Sequence, residues 1–243
     1  MLEKKLLKVS VAGLLFFALL AIIMLSREKQ ATEPAALLYA DTPGLILDAG
    51  HGGLDGGAVS ADGCRESEIN LAIVLKMRDL ARMFGCDPIL TRSSEELDYP
   101  PEAATVREKK VWDQKSRAEK INSTENPVLI SVHQNMYPDP RPSGPEVYYS
   151  KADGAETLAE ITQSALVQQF APECRRLAAP ISVSIYLLNH IQCPAILAEC
   201  GFLSNPEESK KLQSDAYRTE LAIILLSSYF RYISESCGGS HER

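Results

Sequence analysis

Three short runs of mainly aliphatic residues, each leading into polar residues, constrain the fold of this 243-residue chain most. The runs and the residues they lead into are 44–47 with His51, 127–132 with His133, and 194–198 with Glu199. Runs of this length, bounded by Gly, Pro or Asn, are typical of buried strands. Open α/β sheets bind their ligands at the carboxyl ends of strands. If these side chains converge in space, they indicate a metal-assisted hydrolase.

Helical patterns alternate with the strand patterns along the chain. The predicted helices are 66–84, 103–123, 153–170 and 215–233. The further predicted strands are 86–91, 147–150 and 182–188, and the third run gives a strand over 195–198. Alternation of strands and helices predicts an α/β domain with a largely parallel sheet covered by helices on both faces.

The amino-terminal segment differs from the rest of the chain. Lys4, Lys5 and Lys8 precede the uncharged apolar stretch 9–25, an order typical of a signal peptide or signal anchor. Because a small-x-small cleavage site is poor, we expect an uncleaved anchor, with the protein membrane-anchored or secreted on the cell-wall side. The predicted organisation is a signal anchor over 1–26, a linker over 27–42, a catalytic domain over 43–236 and a tail over 237–243.

Net charge and cysteine spacing argue against a nucleic-acid-binding protein, a zinc ribbon and a disulfide-stabilised domain. The formal net charge is −7, which argues against binding to nucleic acid because that requires a basic patch. The six cysteines show no CxxC and no zinc-ribbon spacing. A domain of this size needs no disulfide framework, so we predict free thiols.

Histidine is scarce, which narrows the choice of metal ligands. The chain has only His51, His133, His190 and His241. A catalytic zinc takes three protein ligands from His and carboxylate and leaves one position for water. His51 and His133 follow predicted strands, whereas His190 lies in a loop and His241 in the tail. His51 and His133 are therefore the candidate ligands.

A carboxylate is expected as the third ligand, and four lie near the first strand. The candidates are Asp48, Asp55, Glu66 and Glu68. Glu66 and Glu68 begin a predicted helix, and a helix amino terminus favours a negative charge even without a metal. The residues alone leave the choice among the four open.

Glu199 is the residue whose position in the sequence gives the most specific prediction. It follows a strand, where burial is expected, and a buried carboxylate is costly without a partner. Its partner is either a metal-bound water, for which it would be the general base, or an arginine such as Arg92 or Arg117.

Several segments, taken together, resemble a known family. They are Asp-Ala-Gly-His-Gly-Gly at 48–53, Glu66 with Asn70, Ser-Val-His-Gln-Asn at 131–135, and Glu-Cys-Gly-Phe-Leu-Ser-Asn at 199–205. In this order they are similar to the zinc-dependent N-acetylmuramoyl-L-alanine amidases of the amidase-3 group. The resemblance covers about 43–233. The segment 186–188, the single-domain layout and the anchor resemble the spore-cortex, germination-specific subtype.

The resemblance carries expectations for the fold, the site and the reaction. It implies a six-stranded phosphorylase/hydrolase-like α/β fold, one Zn²⁺ held by His51, Glu66 and His133, and Glu199 as the catalytic base. It implies hydrolysis of the amide bond between N-acetylmuramic acid and L-alanine of peptidoglycan in spore cortex maturation. Partners would be peptidoglycan, the membrane through the amino-terminal segment, and an activator protein where one is needed.

Two other functions stay open at this point. Another zinc hydrolase on a related fold, such as a carboxypeptidase, would need an arginine placed for a terminal carboxylate. A non-catalytic, membrane-tethered wall-binding protein would be expected to lack at least one of His51, Glu66, His133 and Glu199. All four are present, which disfavours the last alternative.

Overall fold

The computed structural model describes residues 44–238. Within this range, the strands are β1 (Gly44–Ala49), β2 (Ile89–Leu90), β3 (Pro127–Asn135), β4 (Glu146–Tyr149), β5 (Ala179–Pro180) and β6 (Ala195–Phe202). The helices are α1 (Glu66–Met83), α2 (Val106–Asn122), α3 (Ala155–Phe170), α4 (Tyr186–Asn189), α5 (Pro206–Leu212) and α6 (Asp215–Gly238).

The six strands form one sheet in the order β2-β1-β3-β6-β4-β5. Strands β2, β1, β3 and β6 run parallel to one another, whereas β4 is antiparallel to β6 and β5 is parallel to β4. The predicted six-stranded, mostly parallel sheet is confirmed.

Successive residues of the central strands face two separate hydrophobic clusters. Leu45 and Leu47 of β1 pack in a cluster with residues of α1, α3 and α6. Ile46 between them packs in a second cluster with residues of α2 and α4. Because successive strand residues point to opposite faces, both faces of the sheet are covered by helices. Burial on both faces is also why these strands read as continuous apolar runs.

Helix α2 begins with a strong local signal, and its last two turns pack against the sheet. The Thr105 side chain accepts a hydrogen bond from the Glu108 backbone N–H, and the Glu108 carboxylate accepts one from the Thr105 N–H. This capping box satisfies two N–H groups and fixes where the helix starts. Ala118 and Ile121 then bury against the sheet, which brings their neighbour Arg117 beneath the end of β1.

Three of the predicted strands differ from the structure. The strand predicted over 182–188 is wrong, because this stretch contains the start of the short helix α4. The Asn189 side chain donates to the carbonyls of Ser182 and Ile185 and so closes a turn there, while Leu187 and Leu188 bury in the second cluster. A short apolar run does not by itself distinguish a strand from a helical turn.

The strand predicted over 195–198 is too short. β6 continues to Phe202 because Asn135 of β3 pairs with Phe202 after a shift of register, so Glu199 lies within the strand rather than at its end. The β2 strand is shorter than the predicted 86–91.

Several predictions concern residues outside the described range. The signal anchor over 1–26 and the linker over 27–42 both lie outside it, so the domain boundaries stay predictions. In residues 44–238, none of the helices is long and apolar enough to cross a membrane. The five cysteines whose side chains are described are free thiols, in agreement with the prediction: Cys64, Cys86, Cys174, Cys193 and Cys200.

Candidate active site

The order of the strands opens a crevice at the carboxyl end of the sheet. After β1 the chain pairs β2 on one side of it, and then returns to pair β3 on the other side. At such a reversal of strand order the following loops diverge and leave room for a ligand. The loop after β1, the first residue of α1 and the end of β3 all meet at this crevice.

The three predicted metal ligands, His51, Glu66 and His133, come together there. Ligand atoms of the three residues lie within 4.8 Å of one another. One Glu66 carboxylate oxygen is 3.2 Å from His51 Nε2, and the other is 3.0 Å from His133 Nδ1. The two imidazole rings meet edge to face with centroids 5.0 Å apart. The Glu66 carboxylate therefore lies between two imidazoles, which is a donor set that could hold a metal ion.

The loop that carries His51 is strained and closely packed. His51 has φ of 63°, in the left-handed region that a side chain rarely adopts. A non-glycine residue in this region costs on the order of 1–3 kcal/mol and persists only when its surroundings fix it. Gly50 precedes it because a Cβ at that position would overlap the His133 ring.

Two buried arginines hold this loop through hydrogen bonds to its backbone carbonyls. Arg117 donates from Nη2 to the His51 carbonyl and from Nη1 to the Ala49 carbonyl, both at 2.7 Å. Arg92 donates from Nε to the same Ala49 carbonyl at 2.9 Å and from Nη2 to the Gly50 carbonyl at 3.1 Å. Three successive carbonyls of the ligand loop are thus bound by guanidinium groups.

Asp48 provides the counter-charge for Arg117. Its carboxylate is 2.8 Å from Arg117 Nη1 and accepts hydrogen bonds from Ser131 and Thr91, both at 2.6 Å. Burial alone would raise the pKa of Asp48, but the Arg117 charge and the two hydroxyls lower it to about 2. Asp48 therefore supports the loop through Arg117 and does not replace Glu66 as the candidate metal ligand.

The other competing carboxylates are also placed elsewhere. Asp55 lies behind His51, with its carboxylate 3.0 Å from His51 Nδ1 and 2.8 Å from Lys110 Nζ. Glu68 is exposed. A carboxylate behind a ligand histidine orients the ring and fixes its tautomer. Of the four candidate carboxylate ligands, Glu66 is thus the one that lies between the two imidazoles.

The electrostatics of the site favour a cation. Burial lowers the pKa of His51, but hydrogen bonds to Asp55 and Glu66 outweigh burial and raise it to about 9. Burial raises the pKa of Glu66, yet the two histidines bring it well below its usual range. A site that draws a proton onto an imidazole offers the same negative potential to a metal ion. Two imidazoles and one carboxylate are also the donor set of catalytic zinc sites.

Glu199 lies beside this cluster with one oxygen unpartnered. It is the Cα partner of His133 across the β3–β6 pair. Its Oε2 is buried without a hydrogen-bond partner among the described residues. Burial, and then the nearby Glu66 and Glu146 carboxylates, raise its pKa to about 7, although the histidines act in the opposite direction. The alternative of a salt bridge to Arg92 or Arg117 is not formed, because both arginines bind the ligand loop.

A cleft of about 580 Å³ opens above these residues. Its lining includes the α2 face made of Arg107, Lys110, Val111 and Gln114, and the segment 184–188. His190 is not part of the metal cluster, since its Nδ1 is 2.7 Å from the Tyr186 carbonyl and its ring stacks on Tyr186. His241 lies outside the described residues.

Sequence reasoning missed the roles of Arg117 and Asp55. Both depend on the path of a glycine-rich loop, which the sequence leaves undetermined because glycines permit many conformations. The one available signal was that Arg117 directly precedes Ala118 on the buried stripe of α2, where a charged residue requires a partner.

Comparisons with known proteins agree with this geometry. Residues 45–227 match the family model described as N-acetylmuramoyl-L-alanine amidase. The germination-specific N-acetylmuramoyl-L-alanine amidase of Bacillus subtilis is 33% identical over 193 residues, which cover 79% of this chain and 80% of that protein.

Solved structures show the same similarity. The CwlD amidase from Clostridioides difficile, solved in complex with the GerS lipoprotein, has a TM-score of 0.75 and 34% identity, over 79% of this chain and 99% of that one. An N-acetylmuramoyl-L-alanine amidase from Clostridium difficile 630 has a TM-score of 0.67 and 27% identity, over 80% of this chain and 98% of that one.

Proposed function

This chain belongs to the N-acetylmuramoyl-L-alanine amidase family, and we propose that it uses Zn²⁺ to hydrolyse the amide bond between N-acetylmuramic acid and L-alanine in peptidoglycan. His51, Glu66 and His133 would hold the metal. The observation that carries the proposal is the convergence of their ligand atoms within 4.8 Å at the base of a cleft. Two imidazoles and one carboxylate leave a coordination position free for water, as catalytic zinc sites require.

Each step of the reaction has a residue of this chain to perform it. When bound, Zn²⁺ supplies a Lewis acid that lowers the pKa of water and polarises a carbonyl group. Glu199 Oε2 would accept the proton of the attacking water and return it to the amine of the leaving L-alanine. This oxygen has no hydrogen-bond partner within residues 44–238, which supports the role because it leaves the oxygen free for water. Asp55 would hold the ring of His51 through Nδ1.

The cellular substrate we propose is the peptidoglycan of the spore cortex. This rests on similarity to the germination-specific amidase of Bacillus subtilis. Because the CwlD amidase was solved with the GerS lipoprotein, we also propose that a protein partner assists this chain. The reaction would take place outside the cytoplasm, with residues 1–26 as a membrane anchor, as their basic and then apolar order suggests.

Mass analysis of digested peptidoglycan tests the proposed reaction. The protein with zinc should release intact stem peptides that begin with L-alanine, and should leave N-acetylmuramic acid with a free carboxyl group. His133→Ala should lose both zinc and release, whereas His190→Ala should keep them. Release of single carboxyl-terminal amino acids would instead indicate a carboxypeptidase. Sedimentation with peptidoglycan without any release would indicate a wall-binding protein.

A further inference from the structure

One face of helix α2 forms a side of the cleft. Arg107, Lys110, Val111 and Gln114 line it, and Arg117 follows on the same side. Residues three and four positions apart lie on one face of a helix, so these side chains form a single stripe. The stripe runs from the rim of the cleft at Arg107 to the His51 loop, where Arg117 binds the His51 carbonyl.

Two of the three cations of this stripe have an acidic partner. Arg117 is paired with Asp48, and Lys110 lies 2.8 Å from Asp55. Arg107 is exposed, and within residues 44–238 it makes no hydrogen bond or ion pair. Its neighbour Glu108 is engaged in the helix cap. In a chain of net charge −7, the cleft therefore presents one guanidinium that has no counter-charge among the described residues.

The position of Arg107 sets its distance from the reacting bond. Ten residues separate it from Arg117, which corresponds to about 15 Å along the helix axis. An extended peptide advances about 3.3–3.6 Å per residue. With the length of its own side chain subtracted, Arg107 can meet a group on the second or third residue from a bond held at the metal centre.

We infer that Arg107 forms an anionic subsite that binds a carboxylate of the stem peptide. The inference rests on the proposed function. The carboxyl group of muramic acid is consumed in the amide bond, so the charged groups near that bond belong to the peptide. A guanidinium binds a carboxylate through two parallel hydrogen bonds, which a lysine cannot do.

Other lining residues of the cleft are suited to the uncharged part of the same peptide. They are Ile185 and Tyr186. The Tyr186 ring stacks on His190 with centroids 3.8 Å apart and an angle of 12° between the planes. This stacking holds the Tyr186 ring in place, so a peptide bound in the cleft would meet a fixed apolar surface as well as a cation.

The test compares two forms of one polymer. Purified peptidoglycan is used untreated, or with its carboxylates converted to amides by carbodiimide and ammonia. The full-length protein with zinc should release stem peptides about five to ten times faster from the untreated polymer. Arg107→Gln should release them at equal rates from both. In 0.5 M salt the wild-type preference should shrink, because exposed charges are screened.

Lys115→Gln is the matched control, since Lys115 is an exposed cation of the same helix that does not line the cleft. It removes the same charge and should keep the wild-type preference. Equal wild-type rates on both polymers would overturn the inference, as would an Arg107→Gln variant that keeps the preference. If the wild-type protein with zinc releases nothing from either polymer, the proposed function itself fails.

Discussion

Glu199 differs from the other carboxylates of the site in what its oxygens contact. Glu66 lies between two imidazoles, Asp48 is bound by Arg117, and Asp55 bonds to His51 and Lys110. One Glu199 oxygen is buried without a partner in the described part of the chain. A carboxylate left in this state is costly to stability, and such a cost is commonly found where a residue serves the reaction.

Glu199→Gln should therefore keep the fold and the zinc but lose turnover. The amide is nearly isosteric and can hydrogen-bond water, but it cannot accept a proton. General-base catalysis contributes about 10²–10⁴-fold, so release of stem peptide should fall by at least about 100-fold. The melting temperature should stay the same or rise, because an unpartnered carboxylate is removed. Zinc content, melting temperature and activity are measured on one preparation, and a zinc-loaded, nearly fully active variant would remove Glu199 from the mechanism.

Arg117→Lys should weaken zinc binding. A single ammonium group can remain paired with Asp48 but cannot also hold the carbonyls of Ala49 and His51 in the geometry of a guanidinium. Groups that orient metal ligands typically contribute about 10–100-fold to metal affinity. We expect a loss of that size in competition with a chelator. Arg231 forms an exposed ion pair with Glu235, so Arg231→Lys should leave the zinc affinity unchanged.

A wild-type zinc affinity in Arg117→Lys, together with a lowered melting temperature, would show that Arg117 acts on stability alone. The distinction matters because His51 has a left-handed backbone, which its surroundings must maintain. Arg117 is the buried group that binds the carbonyl of that residue.

At the scale of elements, the sequence correctly predicted the strands that are buried on both faces of the sheet. β1, β3 and β6 are covered on both faces, so their apolar runs are unambiguous and their locations are confirmed. The stretch 182–188 failed because its apolar residues serve a single helical turn. The length of β6 could not be predicted, because it depends on the pairing of Asn135 with Phe202 across a shifted register.

The candidate ligands come from three separate elements, so a bound metal should stabilise the fold. His51 follows β1, Glu66 begins α1 and His133 belongs to β3. A ligand that binds only the folded state adds about 2.7 kcal/mol at a concentration 100 times its Kd. For a domain of this size, that corresponds to a rise in melting temperature of about 5–10 °C. Thermal unfolding with zinc and with a chelator measures the difference.

Two variants make this thermal experiment specific. His133→Ala should show no rise with zinc, because one of three ligands is gone. His190→Ala should show the wild-type rise, since His190 contacts Tyr186 and lies outside the cluster. An equal rise in both variants would mean that zinc binds elsewhere.

At the scale of the whole molecule, the buried Asp48–Arg117 pair links stability to pH. The pKa of Asp48 is about 2 in the folded protein, against an ordinary value of 3.8. Because the folded pKa is the lower one, the pair contributes its full stability above about pH 4 and loses it as the pH falls towards 2. The contribution is about 2 kcal/mol. Unfolding followed between pH 5 and pH 2 measures it.

Ser131→Ala should make this acid dependence smaller without abolishing it. It removes one of the two hydroxyls that donate to Asp48 and leaves the Arg117 pair intact. The pKa of Asp48 in the folded protein should therefore lie closer to its ordinary value, so the total loss of stability should be smaller and should be complete at a higher pH. An identical pH profile in wild type and variant would show that Asp48 does not govern the acid limb.

Truncation before Asp41 should yield a soluble, folded domain. Both hydrophobic clusters of the described residues are built from positions 45–233, and β1, which begins at Gly44, lies in the interior of the sheet between β2 and β3. A chain starting at residue 41 keeps this strand and should unfold cooperatively at the melting temperature of the full-length protein. A chain starting at residue 50 loses β1, and with it Leu45, Ile46 and Leu47 from both clusters, and should not fold. If the chain starting at residue 41 is insoluble while the full-length chain is stable in detergent, the amino-terminal segment packs on the domain, and its interpretation as a separate anchor is wrong.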